Sequence, residues 1–404
     1  MFVHCAGLPL FASMFKLKYF VFMMAFVVAA SSCKVSRLPQ SSDQSDSASV
    51  PLDTTVAPLD STLTLIQDSV EIEIFRLLKD TVTIIGVGDI MMGTNYPDKG
   101  YLPPNKGADL LRDVKPVLQN ADVTFGNLEG VILDDGGDAK YCRNPKICYI
   151  FRSPEYMLNH LKGAGFDLLS TANNHAGDFG DPGRKNTARA LDSLGFYHAG
   201  QTTHPYSTFM VDGMKYGFTA FAPNTGTMSI HDLDKAGKIV SMLDSISDVV
   251  IVSFHGGAEG SKYQNVTRES EVFYGENRGN VYDFSHKMID AGADIIFGHG
   301  PHVTRAVDIY KNRFIIYSLG NFCTYARFNL KGDNGLAPII KVFTNPEGEF
   351  LKAEITPIVQ RAPGGPKIDA DGRVITKLRE LTEKDFPEVP VKIDATGIIT
   401  YLQD

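Results

Sequence analysis

The sequence lacks a surplus of positive charge. Its 404 residues include 39 lysines and arginines against 47 aspartates and glutamates, which gives a formal net charge of −8. Proteins that bind nucleic acid through its phosphates usually carry a basic surplus. The charge balance therefore excludes a general nucleic-acid binder, and we expect no nucleic-acid partner.

The extremes of composition that mark disordered, collagen-like or multi-span membrane proteins are also missing. Hydrophobic residues make up 43% of the chain and charged residues 21%, a mixture that can build a sizeable core. No internal repeat is found. The length fits two or three domains, or one large α/β domain with a tail.

A hydrophobic run near the N-terminus, Tyr19–Ala30, follows two lysines and leads through small residues to Cys33. This order is typical of a secretory signal, and the position of the cysteine resembles a bacterial lipobox. We therefore predict a lipoprotein signal peptide over residues 1–33, with lipidation of Cys33. The alternative is an uncleaved anchor helix, for which the run is short. The sequence leaves open whether translation starts at Met1 or Met14.

Cysteine is scarce, with five residues in the whole chain. Disulfides persist in exported proteins, so the close spacing of Cys142 and Cys148 predicts a local disulfide. The alternative is half of a zinc site, for which no second pair of cysteine or histidine ligands lies nearby. We expect Cys323 to be a buried free thiol.

Composition divides the rest of the chain into three parts. Residues 34–80 are rich in Ser, Asp, Thr and Pro and predict a flexible tether. Over 81–360, apolar β-branched runs alternate with helix-like stretches, which predicts an α/β domain with a parallel or mixed sheet. Residues 361–404 form a C-terminal extension that contains a short charged helix.

Within the α/β domain several elements can be placed. Helix-like stretches include residues 108–119 and a helix that we expect to open with Asp181 as its N-cap. Two hairpins are expected at 207–221 and 305–320, each turning at Gly or Asn. Further strands are expected within 335–360.

Side chains that can bind a metal follow five of the apolar strands. They are Asp89, Asn127, Glu129, Asn173, Asn174, His175, His255, His299 and His302. Ligands bind at the carboxyl ends of strands in open α/β sheets, so we expect these side chains to converge. Carboxylate, amide and imidazole together suit Zn, Mn or Fe better than Ca. The sequence thus predicts a site for one or two divalent ions.

Each of these residues also has an ordinary alternative when it is taken alone. An aspartate after a strand usually caps a helix or stabilises a turn. The remaining histidines lack supporting partners in the sequence. We expect His160 and His286 to lie within helices as surface or packing residues, and we assign no role to His198, His204 or His231.

Six motifs occur in a fixed order across about residues 81–358: GVGDIMMG, FGNLEG, TANNHAGDFG, SFHGGAEG, FGHGPHV and YSLGNF. Together they resemble the CapA family of poly-γ-glutamate capsule biosynthesis proteins, whose domain is similar to the calcineurin-like metallophosphatases. The resemblance implies a four-layer α/β/β/α sandwich.

The resemblance also implies roles for individual residues. It implies metal ligation by Asp89, Glu129, Asn174, His255, His299 and His302. His175 would face the substrate as a catalytic acid, and Glu259 would orient His255 or act as a base. One departure is Met91, which stands where these phosphatases usually have a histidine, and a thioether is a poor ligand for such ions.

We assign Arg152, Asn127 and Asn173 to substrate binding, with a surface or structural arginine as the alternative for Arg152. The expected protein is an exported bacterial lipoprotein of the cell envelope, on the periplasmic face or the cell surface. Its expected activity is metal-dependent hydrolysis of a phosphoester or an amide during capsule biosynthesis. The alternative is a non-catalytic accessory or polymer-binding subunit. Expected partners are the membrane, capsule synthase or export proteins, and an anionic polymer.

Overall fold

A computed structural model describes residues 79–142, 144 and 148–402. The predicted signal peptide, Cys33 and nearly all of the predicted tether lie outside these residues. No helix in the described part of the chain combines the length and apolar character needed to cross a bilayer.

The described residues form twenty strands. They are β1 (Val82–Met91), β2 (Val123–Leu128), β3 (Val131–Ile132), β4 (Arg152–Ser153), β5 (Leu168–Ser170), β6 (Tyr197–Ala199), β7 (Tyr206–Val211), β8 (Met214–Phe221), β9 (Val249–His255), β10 (Val272–Phe273), β11 (Glu276–Asn277), β12 (Ile295–His299), β13 (Val307–Tyr310), β14 (Arg313–Ile316), β15 (Asn321–Thr324), β16 (Leu336–Thr344), β17 (Phe350–Gln360), β18 (Pro366–Ile368), β19 (Val391–Ile393) and β20 (Ile398–Tyr401).

Most of these strands belong to two sheets. The larger has ten strands in the order β19-β20-β17-β16-β1-β2-β5-β6, with β15 paired to β1 and β18 to β17. The second has six strands in the order β13-β14-β12-β9-β8-β7. β1, β2, β5 and β6 run parallel, as do β8, β9, β12 and β14. These parallel strands bring their carboxyl ends to one edge of each sheet.

The α-helices of the described residues are α1 (Lys115–Leu118), α2 (Met157–Ala164), α3 (Gly180–Ser193), α4 (Leu233–Asp244), α5 (Val281–Asp290) and α6 (Arg373–Asp385). α2 and α3 pack on the outer face of the larger sheet. α4 and α5 pack on the outer face of the second sheet. α6 packs against β13, β16 and β17.

The two sheets face each other across the main hydrophobic core. Phe125 of β2 packs there with Phe218 and Phe297 of the second sheet. Along β1, Ile84 points into this core and Ile85 into the cluster beneath the outer helices. Strands buried on both faces read as continuous apolar runs. The expected four-layer α/β/β/α arrangement is confirmed.

The expected hairpins are confirmed as β7–β8 and β13–β14. Their turns place Asp212–Gly213 and Lys311–Asn312 at positive φ, as tight hairpin turns require. The expected helix at 108–119 is wrong over most of its length, because only Lys115–Leu118 is helical.

The expected N-cap of α3 is also wrong by two positions. The helix begins at Gly180, so Asp181 and Pro182 lie in its first turn. Beyond Gln360 the chain adds β18, β19 and β20 to the larger sheet, and α6 covers the stretch where a charged helix was expected.

Candidate functional site

The segment between β14 and β15 ties the two sheets together beneath the site. Leu319 donates its backbone N–H to Gly298 O of the second sheet at 3.0 Å, and Asp89 donates to Gly320 O at 2.9 Å. A Cβ on Gly88 would lie 1.9 Å from Gly320 O, so a side chain is excluded there. The glycines allow this close approach and bring Asp89 near the second sheet.

Strand register aligns the site residues within each sheet. Asp89 is paired with Asn127 of β2 and with Asn321 of β15. His255 and His299 are paired between β9 and β12. The carboxyl ends of these strands therefore present their polar side chains together, as expected for neighbouring parallel strands.

Asp89 is the fully buried centre of the cluster. Its carboxylate contacts His302 Nδ1 at 2.9 Å and His299 Nδ1 at 3.2 Å, and it accepts a hydrogen bond from Asn127 Nδ2 at 2.9 Å. Burial opposes ionisation, but the hydrogen bonds from His299 and His302 hold the pKa of Asp89 well below its ordinary value. Asp89 is therefore an ionised carboxylate.

Glu129 is equally buried but has no hydrogen-bond partner on either oxygen among the described residues. Its Oε1 lies 3.5 Å from His302 Nε2 and 3.8 Å from His175 Nε2, beyond good hydrogen-bond distance. Burial raises the pKa of Glu129 well above its ordinary value. One carboxylate oxygen of Glu129, one of Asp89 and a ring nitrogen of His302 all lie within 4.8 Å of one another.

His302 lies between these carboxylates. Burial lowers the pKa of His302, but Glu129 and Asp89 outweigh burial and raise it to about 10. Its φ of 56° lies in the left-handed region. This backbone conformation costs energy for a residue with a side chain, and residues held in it are concentrated at functional sites. His302 is thereby held against Asp89, and its other ring nitrogen faces Glu129.

Four further buried polar atoms around this cluster have no hydrogen-bond partner among the described residues. They are Asn174 Oδ1, His255 Nε2, His299 Nε2 and Asn321 Oδ1. Burial lowers the pKa of His255 well below its ordinary value, so its imidazole is neutral. Buried acceptors without partners are costly, and oxygen and imidazole acceptors of this kind suit a divalent cation. The residues present therefore fit the expected metal.

Of the six expected ligands, Asp89, Glu129, His255, His299 and His302 lie together, and Asn174 lines the adjoining cavity. The structure adds Asn321. Its Nδ2 donates to His302 O and Asn334 O at 3.1 Å each, which fixes the amide and leaves Oδ1 free of donors. The YSLGNF motif contains Asn321, and only its pairing with Asp89 reveals a role. Met91 is buried at the end of β1 and brings a thioether instead of an imidazole.

His175 lines the same cavity and is held by Asp178. Its Nδ1 lies 2.7 Å from Asp178 Oδ2, and the other oxygen of Asp178 pairs with Lys140 Nζ at 2.6 Å. The ring packs on Phe151 at 4.3 Å between centroids. Burial lowers the pKa of His175 and Asp178 opposes this effect. The spacing His-x-x-Asp was the signal that could have found Asp178.

Two residues expected to bind substrate lie behind the ligands instead. Asn127 is fully buried, and it donates to Asp89 and accepts from Asn173 Nδ2 at 3.1 Å. Asn173 also donates to Leu128 O and accepts from the His175 N–H. Both asparagines therefore hold Asp89 and His175 in place.

Arg152 does not line the cavity either. Its Nε donates to Asn95 Oδ1 and its Nη1 to Gly136 O, each at 2.7 Å, and the guanidinium packs over Phe179. These contacts are those of a structural arginine. The expected contact of Arg152 with substrate is not supported by its position.

The site opens into a cavity of about 590 Å³. Its lining includes Lys140, Tyr149, Phe151, Asn174, His175, Glu259, Phe273, Tyr274, Arg278, His302, Asn321, Arg327 and Phe328. Glu259 pairs with Arg278 at 3.0 Å, and Arg278 also pairs with Glu276 at 2.7 Å. Glu259 therefore stands at the cavity wall with an arginine partner and no hydrogen bond to His255.

Arg327 is a cavity residue that sequence reasoning missed. Its guanidinium packs over Tyr101 and Tyr149, and it has no carboxylate partner among the described residues. It lies six positions beyond Asn321 in a loop of positive φ, and nothing in the sequence around it distinguishes it from a surface arginine.

Residues beside the disulfide line another side of the cavity. Cys142 and Cys148 are joined, with their Cα atoms 5.9 Å apart, and Cys148 lines the cavity. Lys140, two residues before Cys142, also donates its backbone N–H to Asp178 O at 2.8 Å. The chain just before the disulfide is thereby attached to the segment that carries His175. Cys323 is buried and free.

A family model and known proteins match this chain in sequence. The model of the family "Bacterial capsule synthesis protein PGA_cap" matches residues 83–326. The PGA biosynthesis protein CapA of Bacillus subtilis (strain 168) is 30% identical over 75% of this chain and 78% of that protein. The capsule biosynthesis protein CapA of Bacillus anthracis is 31% identical over 60% of each chain.

Solved structures give more distant matches. The calcineurin-like phosphoesterase YfkN from Bacillus subtilis is 12% identical with a TM-score of 0.35, covering 77% of this chain and 96% of its own. The 5′-nucleotidase precursor from Thermus thermophilus is 12% identical with a TM-score of 0.38, covering 73% of this chain and 57% of its own. No functional conclusion follows from likenesses at this level.

The family match spans more than half of the chain and contains the strand ends that carry the cluster. The expected membership of the CapA family is confirmed. The chain belongs to the bacterial capsule synthesis proteins of the PGA_cap family.

Proposed function

We propose that this capsule biosynthesis protein is a membrane-anchored, metal-dependent hydrolase that acts on a phosphoester or an amide. The observation that carries the proposal is the set of buried acceptors without donors around Asp89. A site with only a structural role would be expected to pair its buried polar atoms internally. This cluster instead leaves both carboxyl oxygens of Glu129 and the Nε2 atom of His255 without partners among the described residues, beside an open cavity.

Seven residues would hold the ion or ions: Asp89, Glu129, Asn174, His255, His299, His302 and Asn321. When bound, a divalent ion of the Zn, Mn or Fe class supplies Lewis acidity and lowers the pKa of water at the site. The uncharged His255 is ready to bind without losing a proton, whereas His302 must release one.

His175 is suited to move a proton between water, substrate and leaving group. Asp178 engages Nδ1 and leaves Nε2 for the cavity. A carboxylate in this position holds one tautomer of the imidazole and stabilises the imidazolium that forms when Nε2 takes up a proton. Lys140 in turn holds Asp178. We assign proton transfer to His175 and positioning to Asp178.

The cavity wall favours an anionic chain that also presents apolar groups. Arg327 offers a cation that no carboxylate pairs with among the described residues, while Tyr149, Phe273, Tyr274 and Phe328 contribute aromatic surface. An anionic capsule polymer or its phosphorylated precursor meets both requirements. The lipid anchor at Cys33 rests on the signal-like sequence and would keep the cavity close to the membrane where such a polymer emerges.

The test is hydrolysis by the purified full chain after metal depletion and after Zn²⁺ or Mn²⁺ is restored. The substrates are a generic aryl phosphate, an aryl phosphodiester and poly-γ-glutamate. We expect turnover that needs the metal and disappears in His175→Gln while bound metal is retained. His231→Gln, which changes an exposed histidine, is the control.

A metal-loaded chain that binds poly-γ-glutamate but hydrolyses none of the three substrates would overturn the catalytic proposal. The accessory or polymer-binding role would then replace it. The assignment of the ligands would be overturned if the double variant His255→Ala, His299→Ala bound as much metal as the wild type.

A further inference from the structure

A second group of metal-binding side chains comes from one continuous segment, residues 192–204. Asp192 lies near the end of α3, His198 lies in β6, and His204 lies in the turn between β6 and β7. The turn is closed by two backbone hydrogen bonds of 2.9 Å, from Gly200 N to His204 O and from His204 N to Gln201 O. The backbone therefore fixes the relative positions of the two histidines.

The three side chains meet with the separations that a small ion requires. His198 Nε2 lies 3.0 Å from Asp192 Oδ1, and the two imidazole centroids are 5.1 Å apart. One possible ligand atom of each residue lies within 4.8 Å of the other two. Ligands bonded to Zn²⁺ at about 2.0–2.2 Å are about 3–3.5 Å apart, so small side-chain shifts suffice.

The environment of His198 differs from that of an ordinary surface ion pair. His198 is only 6% exposed, and its Nδ1 has no partner among the described residues. A buried ring nitrogen without a partner is costly. His204 Nδ1 contacts Thr203 Oγ1 at 3.0 Å, which leaves Nε2 as its free ring nitrogen.

A cation can reach the group from solvent. The side chain of Asp192 is 64% exposed, and Asp192 and His204 both line a cavity of about 540 Å³. Arg184, Lys185 and Arg189 line it too; Arg184 donates to Thr225 O and Arg189 pairs with Glu155. Glu155 offsets the charge of Arg189, and Asp181 and Asp192 add negative charge to the same lining.

We propose that Asp192, His198 and His204 form a second metal site that takes a divalent transition-metal ion of the Zn²⁺ class. Two imidazoles and one carboxylate favour Zn²⁺ over Mg²⁺ or Ca²⁺, which prefer all-oxygen sites. The ion would join the end of α3 to the turn after β6. It shares no ligand with the Asp89 cluster and does not depend on catalysis there.

The experiment measures Zn²⁺ bound by the untagged full chain, using equilibrium dialysis, metal analysis and the visible absorption of Co²⁺. We expect His204→Ala and Asp192→Asn each to lower the affinity of one site for Zn²⁺ by at least about tenfold. Loss of a residue that only supports a metal ligand already has an effect of this size. His231→Ala, an exposed histidine outside the group, should bind as the wild type does. Asp89→Asn should leave this site occupied.

Equal Zn²⁺ binding by His204→Ala, Asp192→Asn and His231→Ala would overturn the proposal. Loss of all bound Zn²⁺ in Asp89→Asn would also overturn it, because every ion would then belong to the first cluster. Both test variants change partly exposed side chains and leave the buried His198 in place, and circular dichroism checks that they fold. Failure of the hydrolysis test would leave this result unchanged, because the two sites share no ligand.

Discussion

Among the clusters of buried charge in the described residues, those around Arg305 and around Asp89 are satisfied in opposite ways. Arg305 and Glu271 form a pair with two contacts of 2.7 Å, and Ala258 adds its N–H to Glu271 and its carbonyl to Arg305. Apart from Arg305 Nε, the polar atoms of this pair have partners. Around Asp89, by contrast, carboxylate, amide and imidazole acceptors outnumber donors.

The difference separates a structural role from a functional one. The Arg305–Glu271 pair attaches the segments around Ala258 and Glu271 to the second sheet. That loop region also carries Glu259 and Arg278 at the cavity wall. A buried charge pair that is internally complete needs nothing from solvent. The Asp89 cluster is complete only when something positive enters it.

The largest expected effect comes from breaking the complete pair. Glu271→Gln leaves the guanidinium of Arg305 buried without its charge partner, which should lower the free energy of unfolding by about 3–5 kcal/mol. Urea denaturation followed by circular dichroism measures this loss. The double variant Arg305→Met, Glu271→Leu should recover most of it, and a single variant as stable as the wild type would contradict the assignment.

Metal binding should stabilise the incomplete cluster. After chelation, adding Zn²⁺ or Mn²⁺ at about 100 times its Kd should raise the free energy of unfolding by about 2.7 kcal/mol. The gain should disappear in the double variant Asp89→Asn, Asp192→Asn, because this variant lacks one ligand at each of the two proposed sites. Thermal unfolding with and without metal gives the result, and an unchanged gain in the double variant would contradict both assignments.

The disulfide should contribute somewhat less to the free energy of unfolding than metal binding does. Replacing Cys142 and Cys148 by serine opens a short loop, and the chain-entropy model assigns this about 2 kcal/mol. Because Lys140 and Tyr149 flank the loop, binding of an anionic polymer should weaken as well. The control is Cys323→Ser, which leaves the disulfide intact. Equal unfolding midpoints for the wild type and the Cys142, Cys148 double variant would contradict this prediction.

The smallest change is expected at Glu129. Glu129→Gln removes a carboxyl group that is costly to ionise because it is buried. The new amide also offers hydrogen-bond donors to the unpaired polar atoms around it. The free energy of unfolding of the metal-free chain should stay within about 1 kcal/mol of wild type or rise, while metal affinity falls. A loss comparable to that of Glu271→Gln would show that the two clusters are alike and would remove the contrast between them.

Local sequence patterns predicted those turns, strands and helices that are determined by residues adjacent in the chain. The hairpin turns at Asp212–Gly213 and Lys311–Asn312 require positive φ, which Gly213 adopts freely and Asp212 and Asn312 tolerate. The stretch at 108–119 was misassigned because its apolar spacing resembles a helix. The chain instead forms turns up to Val114, and the helix starts only beside Pro116.

The site residues were predictable to the extent that they follow strands in parallel register. Asn321 and Arg327 were missed, because each acquires its role from a partner distant in sequence or from a cavity that several loops enclose. Asp178 was missed although it lies only three residues after His175, the imidazole that it holds. Asn127 and Asn173 follow strands just as the ligands do, yet their amides turn toward Asp89 and toward each other. No periodicity distinguishes an asparagine that faces a ligand from one that supports it.

The sequence by itself determined the alternation of strands and helices, the positions of the donors at strand ends and the family to which the chain belongs. These features depend on side-chain type and spacing along a continuous stretch. Only the tertiary structure decided which acceptors remain without donors, that Arg152 is held away from the cavity, and that Asp192, His198 and His204 meet. Satisfaction of a buried polar atom depends on what packs against it from other segments, and that information exists only once the sheets are assembled.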